Sequence, residues 1–378
     1  MTNKNGTLYP KHLLLAALAT VLASGVWAQE LKVHYMNVGQ GDGAVLVSPG
    51  GEIVLFDAGR KGECDGPLSY LRNLGIDHVD YLIVSHYHAD HIGCVQEMLT
   101  EFPLRKAAYD RGGSYPSSIY NTYVTTVGSL RATATKSHII TLDSGSPSPV
   151  TIQLAALNGN GVQTTNENDL SLVAVVHHGA FDAVIGGDLS GVKSENYEDI
   201  ETSVAPLVGQ VEVYKVHHHC SRYSTNGNWL DLTRPKIGIV SAGNEGNTYG
   251  HPTSECLERL HQAGVVTYWT EKGHGAEPDA PRDSVCGDIV VSYAPGATSF
   301  TVKCGDEDPV QHSLWGTQAP PTAGQVQWAW STSSPGKKYH YAQCAYVRRI
   351  KPENLRRSDT PPSAYSLHGG CPTASGSN

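Results

Sequence analysis

His86-Tyr87-His88-Ala89-Asp90-His91 places four candidate metal ligands within six residues. The preceding stretch, Val79-Asp80-Tyr81-Leu82-Ile83-Val84, has the apolar, β-branched character of a buried strand, and Ile92 to Phe102 has the character of a helix. The cluster therefore belongs on a strand-to-helix loop, where an α/β fold exposes its chemistry. His86 and His88 can serve one metal, and Asp90 and His91 can reach a second. Imidazole and carboxylate together suit zinc, and also manganese or iron, with positions left open to water.

Outward from this loop the pattern continues as strands, turns and helices. Leu31 to Met36, Ala44 to Val47 and Ile53 to Phe56 read as strands between Gly-rich turns, followed by a helix from Pro67 to Asn73 that ends near Gly75. Ser114 to Ser148 is rich in Ser, Thr, Gly and Pro and reads as loops with short strands over the site. Strands return at Thr151 to Leu157, Leu170 to Val176, Ala183 to Ile185, Val211 to Val216 and Ile237 to Ser241, and Cys256 to Ala263 reads as a helix. This order suits two sheets flanked by helices. Composition shifts near Gly305, with Pro320-Pro321 and Ser331 to Gly336 reading as linker, so a boundary is expected after Cys304.

Three further places carry candidate chemistry. Asp188, in Gly187-Asp188-Leu189, closes a short apolar strand, where a carboxylate can bridge two metals. Lys215-Val216-His217-His218-His219-Cys220-Ser221 closes another. Strand alternation there puts His217 and His219 on one side and His218 on the other. His251, in Tyr249-Gly250-His251-Pro252, precedes a helix and can act as ligand, proton donor or cap. His177 and His178 adjoin Gly179 in a hairpin turn and are expected at the surface.

These stretches resemble the metallo-β-lactamase superfamily and, within it, the soluble domain of ComEC-type competence proteins. The resemblance rests on Asn37-Val38-Gly39-Gln40-Gly41-Asp42, Phe56-Asp57-Ala58-Gly59, the His86 to His91 run, Asn168-Asp169-Leu170-Ser171-Leu172-Val173, Gly187-Asp188-Leu189, residues 215–221 and Tyr249-Gly250-His251-Pro252. They follow family order across Leu31 to Cys304. The resemblance implies an α/β fold, the four-layer αββα sandwich, with a two-metal hydrolase site. It implies that His86 and His88 hold the first metal, that Asp90 and His91 hold the second, and that Asp188 bridges. His218 matches the late ligand of a His-His-Gly-Ser pattern, and Asp57 matches a residue that orients the ligand loop. Two departures stand out. Cys220 replaces the glycine of that pattern, which a disulfide would explain. No His between His91 and Asp188 has a third-ligand context, and Asn168 or Asp169 occupies that neighbourhood.

The ends of the chain have their own signals. Lys4 and Lys11 precede the apolar run Leu13 to Leu22, and Val26-Trp27-Ala28 makes a small-residue cleavage site, so residues 1–28 read as a secretory signal. The expected product is secreted or periplasmic, with no membrane span once the signal is removed. Removing that segment takes Lys+Arg from 27 to 25 against 36 Asp+Glu, leaving a net charge of −11. Such a charge disfavours bulk attraction to nucleic acid or anionic membrane.

Eight cysteines in an exported chain point to disulfides. A hairpin of Ile289 to Tyr293 and Ala297 to Val302 around Ala294-Pro295-Gly296 sets Cys286 opposite Cys304. Residues 305–378 read as linker plus a small basic module. Tyr339 to Cys344 and Ile350 to Leu355 resemble Ada-like zinc-binding modules, and Cys344 with Cys371 can instead form a disulfide. Lys337, Lys338, Arg348, Arg349, Lys351, Arg356 and Arg357 make this tail a candidate contact for nucleic-acid phosphates.

The resulting expectation has a domain at 29–304 that is a hydrolase using two divalent metals, zinc or manganese. A metal-activated hydroxide would attack a small-molecule or phosphodiester substrate. Asp90 and His251 are the candidate catalytic residues, with His251 or His219 as proton donor. Two rivals stand beside it: a lactam, lactone or phosphocholine-ester hydrolase of the same fold, and a non-catalytic binding protein with a degenerate site.

Overall fold

The structure, a computed structural model, describes residues 30–315 and the segments 328–331, 338–341, 354–358 and 366–367. The expected signal segment, Cys344 and Cys371 lie outside the described residues. In chain order the strands are β1 (Leu31–Tyr35), β2 (Ala44–Val47), β3 (Ile53–Phe56), β4 (Val79–Ile83), β5 (Leu104–Asp110), β6 (Arg131–Thr133), β7 (His138–Leu142), β8 (Val150–Ala156), β9 (Val173–His178) and β10 (Phe181–Ile185). They continue as β11 (Val213–Lys215), β12 (Ile237–Val240), β13 (Val266–Trp269), β14 (Asp283–Val285), β15 (Ile289–Tyr293), β16 (Ser299–Cys304) and β17 (Val310–Ser313). The helices are α1 (Asp65–Asn73), α2 (Ala89–Ile92), α3 (Val95–Glu101), α4 (Ser118–Val127), α5 (Glu201–Val208), α6 (Gly227–Thr233) and α7 (Ser254–Gln262).

Two sheets face each other. The first has the order β17-β16-β15-β1-β2-β3-β4-β5-β6 and the second β14-β13-β12-β11-β10-β9-β8-β7. Alternation along each strand divides its side chains between two apolar layers. Leu46 of β2 joins Ile152, Ala183 and Ile239 between the sheets. Its neighbour Val45 faces the opposite way, toward Leu71 of α1, Met98 of α3 and Tyr123 of α4. Beyond the second sheet, Val204 of α5, Trp229 of α6 and Leu260 of α7 pack on Val175, Val184 and Val240. The four layers are thus helix, sheet, sheet, helix, as the αββα expectation requires.

Each sheet changes from antiparallel to parallel pairing partway across, at β3 in the first and β10 in the second. The parallel registers place the site. Phe56 lies opposite Ile83, so Asp57 and Ser85 emerge side by side. Ile185 lies opposite Lys215, and Lys215 opposite Ile239, so the loops carrying Asp188, His218–His219 and Ser241 leave neighbouring strand ends.

Several local expectations need correction. The helix expected from Ile92 to Phe102 is two helices, α2 and α3, parted at Gly93 and Cys94. A Cβ on Gly93 would lie 2.1 Å from the backbone nitrogen of Lys61, so the loop from β3 fits only against glycine there. The segment from Ser114 to Ser148 contains a full helix, α4, whose Thr- and Val-rich sequence disfavours helix locally. Ser117 caps it by accepting from Tyr120 N, and Thr122, Thr125 and Thr126 donate their hydroxyls to carbonyls four residues back. Tyr120, Tyr123 and Val127 then form one buried face, so tertiary packing outweighs propensity.

His178 is fully buried, against Tyr293, rather than exposed. Strand β17 pairs with β16, so the first sheet runs past the boundary expected at Cys304. Cys286 and Cys304 form the expected disulfide, and Cys64–Cys94 and Cys220–Cys256 are two more. A separate small sheet pairs 328–331 with 338–341 and 355–358.

Candidate metal centre

The first half of the site follows β4. His86 and His91 are fully buried, while His88 and Asp90 reach the cavity. Each buried ring is fixed through its Nδ1. His91 Nδ1 lies 2.8 Å from Asp57 Oδ2, and Asp57 also accepts from the Ser85 backbone N–H at 2.8 Å and its hydroxyl at 2.6 Å. Asp57 is therefore the loop-orienting carboxylate that was expected. His86 Nδ1 lies 3.1 Å from Ser85 Oγ and 3.3 Å from Ser171 Oγ. Both rings turn Nε2 into the site, and His86 Nε2 approaches His88 Nδ1 at 3.0 Å. Outer partners of this kind set tautomer and ring orientation in metal-binding histidines.

The second half comes from the other sheet. Asp188 sits between the halves, with Oδ1 3.3 Å from His91 Nε2 and Oδ2 4.0 Å from His86 Nε2. The run 217–220 does not continue the strand, because φ is 52° at His218, 52° at His219 and 60° at Cys220. The turn undoes the expected alternation, and His218 and His219 both face the cavity. His217 turns away, and its Nδ1 lies 2.8 Å from Glu201 Oε1. His219 donates from Nδ1 to the Ser241 carbonyl at 3.0 Å and holds Nε2 3.4 Å from both Asp90 Oδ2 and Asp188 Oδ2. His218 Nε2 is 4.0 Å from Asp188 Oδ2 and accepts from Asn168 Nδ2 at 3.1 Å.

The structure thus groups Asp90, His91, Asp188 and His219, whose ligand atoms all lie within 4.8 Å of one another. Sequence reasoning treated His219 as a proton donor and gave the late ligand position to His218. The signal that separates them is the left-handed turn, which sequence alternation does not carry. His86 and His218 approach Asp188 less closely, at 4.0 Å each, with His88 beside His86 and Asn168 beside His218 in the neighbourhood of the missing third histidine.

Charge on the two groups differs. Burial alone would lower His91, but Asp188, Asp57 and Asp90 outweigh it and hold the ring well above the usual histidine range. His219 is held up in the same way by Asp188 and Asp42. Burial would raise Asp188, but His219, His91 and His218 hold it well below the carboxylate range. Burial pushes His86 well down and His218 down to about 4. Behind His219, Asp42 Oδ2 meets the ammonium of Lys215 at 2.5 Å, and both side chains are buried. Asp42 and Lys215 belong to the Asn37–Asp42 and 215–221 stretches, where the sequence alone assigns neither a role.

His91 Nε2, His219 Nε2 and Asp188 Oδ1 are buried without a hydrogen-bond partner. Buried polar atoms in folded proteins are as a rule satisfied, so three orphans that converge on one point in an imidazole and carboxylate set fit a divalent cation. The site opens into a cavity of about 540 Å³ lined by Tyr115, Tyr197, Tyr223, Tyr249 and Arg222. His251 also lines it, and burial with the charges of His219 and His218 pushes its pKa down to about 3. The neutral ring is therefore the favoured form at pH 7.

A family model of the metallo-beta-lactamase superfamily matches residues 38–243. The chain belongs to this superfamily. Among its members the chain resembles the ComEC-type competence proteins. It is 25% identical over 264 residues to ComE operon protein 3 of Bacillus subtilis, covering 65% of this chain and 32% of that protein. It is 26% identical over 236 residues to Recombination protein 2 of Haemophilus influenzae, covering 61% of this chain and 26% of that one. The chain spans about a third or less of the length of these relatives. A solved diphosphatase from the PhnP family is similar with a TM-score of 0.38 at 10% identity, covering 70% of this chain and 99% of that one. The superfamily is one of metal-dependent hydrolases, and its fold and candidate metal cluster are both present here. Among the described residues, no helix is long and apolar enough to cross a membrane.

Proposed function

We propose that this chain is an exported, metal-dependent phosphodiesterase. The observation that carries the reading is Asp188, which four histidines approach, His91 and His219 within 3.4 Å and His86 and His218 at 4.0 Å, at the floor of an open cavity. Asp90, His91, Asp188 and His219 would hold one divalent metal, and His86, His88, Asp188 and His218 the other. When bound, such metals supply an acidified water and a Lewis acid.

The chain's own groups do the rest. Asp57 and Ser241 keep the Nε2 atoms of His91 and His219 pointed inward. The exposed guanidinium of Arg222, at the cavity wall, would draw an anionic group toward the floor. Neutral His251, next to both His218 and His219, would orient substrate or water by hydrogen bonding. The names of the relatives, in competence and recombination, favour a nucleic-acid phosphodiester over a lactam or lactone. Export rests on the N-terminal signal and on three disulfides.

The test pairs metal content of the purified protein with turnover of bis-(p-nitrophenyl) phosphate, for wild type and Asp188→Ala, with nitrocefin as control. Bound metal and phosphodiester cleavage, lost by more than about 100-fold in Asp188→Ala, is the expected outcome; even an outer partner is worth up to that factor. Nitrocefin cleavage alone would turn the reading to a lactamase. Asn168 at the third-histidine neighbourhood favours a binding protein, and ligand binding without turnover would establish it.

A further inference from the structure

His218, His219 and Cys220 are three consecutive residues in the left-handed region, at φ 52°, 52° and 60°. Glycine enters that region freely, whereas a residue with a Cβ is penalised by roughly tenfold in equilibrium. Cys220 stands where the resembling His-His-Gly-Ser pattern has its glycine. The turn that presents His219 is therefore built here from residues that resist it. Something outside the turn has to hold it.

Cys220 itself supplies that hold. Its side chain is bonded to Cys256 of α7, and both residues are fully buried. Its carbonyl accepts from the Thr253 backbone N–H at 2.9 Å and the Thr253 hydroxyl at 3.1 Å. The same helix follows the loop of His251, so one bond ties two walls of the cavity together. The residues that flank the turn, His217 and Ser221, are held by hydrogen bonds and, for His217, by packing on Tyr214 and Trp229, with no covalent link.

We propose that the Cys220–Cys256 disulfide is a positioning device for His219, holding the left-handed turn that glycine would adopt unaided, so that metal affinity depends on the oxidation of this pair. The inference rests on the metal reading above. Forming the bond removes two protons and two electrons from the two thiols. An external disulfide of a protein or small-molecule oxidant accepts them and becomes two thiols. In a reducing compartment the turn relaxes and metal is held weakly; in an oxidising one the site is completed.

The test measures zinc affinity of the full-length protein by competition with a chromophoric chelator. It compares wild type, Cys220→Ala/Cys256→Ala, Cys220→Gly/Cys256→Ala, and Cys286→Ala/Cys304→Ala, whose disulfide adjoins no residue of the cluster. The alanine pair is expected to lose about tenfold in affinity for the tighter zinc, and the glycine pair to recover most of it. The Cys286/Cys304 pair should melt at lower temperature with wild-type affinity. Reduction should weaken zinc binding by wild type more than by the glycine pair. If the alanine pair misfolds, this last comparison still decides. Equal affinity in the alanine and glycine pairs, or equal loss on reduction in wild type and the glycine pair, overturns the proposal. If oxidised wild type binds no zinc, the metal reading falls and takes this proposal with it.

Discussion

Around Asp188 the candidate ligands fall into two groups, a close one of Asp90, His91 and His219 and a looser one of His86, His88 and His218 with Asn168 beside them. The first group mixes carboxylate with imidazoles that neighbouring carboxylates keep protonated. The second consists of imidazoles and an amide, and burial keeps His86 and His218 neutral. Without metal, the first group is a closed set of ion pairs. The second has no carboxylate of its own beyond the shared Asp188. The two positions should therefore differ in how tightly they hold a cation and in what they release on taking it up.

The largest expected contrast lies between adjacent histidines. His219→Ala should cost the tighter position more than about 100-fold in zinc affinity, whereas His218→Ala should cost about tenfold, as for an outer partner. Metal content after dialysis against a chelator would separate them. Equal losses would mean that the late ligand is shared between the two rings, and the asymmetry would break.

A smaller contrast is in pH dependence. Metal must displace a proton from Nε2 of His91 and of His219, because both rings stand above the usual range. Affinity at that position should rise with pH through neutrality. His218, at about 4, has already lost its proton above about pH 5, so it adds no pH dependence to the second position there. Calorimetry in buffers of different ionisation enthalpy counts the protons released. A pH-independent tighter position would show that these rings are neutral in the metal-free protein.

The smallest change would come from Asn168→His. Asn168 donates to His218 at 3.1 Å and leaves its own Oδ1 buried and unpaired. An imidazole there should tighten the weaker position by several-fold, about 1 kcal/mol, and bring the two affinities together. No change in a titration for the second zinc would remove Asn168 from that position.

How far the chain could be read in advance follows the same division. The first half of the site is one contiguous run between a strand and a helix, so His86, His88, Asp90 and His91 could be read as candidate ligands without tertiary information. The second half is assembled from the ends of β10, β11 and β12, and its outcome turns on backbone angles. Alternation is a sound rule while the chain stays extended, and it stops at Val216, the last extended residue before the turn. Asp42 and Lys215 are 173 residues apart and meet only because the sheets stack, so their ion pair was out of reach. Helix α4 was missed because its threonines disfavour helix locally while three buried residues on one face decide it. The Cys286–Cys304 bond was legible because a hairpin register is a local matter.

The Asp42–Lys215 pair also constrains how such a chain can change over generations. One partner belongs to a loop of the first sheet and the other to a central strand of the second, and water reaches neither side chain freely. Losing either alone strands an uncompensated charge in the interior, at about 3–5 kcal/mol. A lineage can retain both or exchange both, but each single-step intermediate is penalised. These two positions should drift as a unit, tying the history of one layer to that of the other.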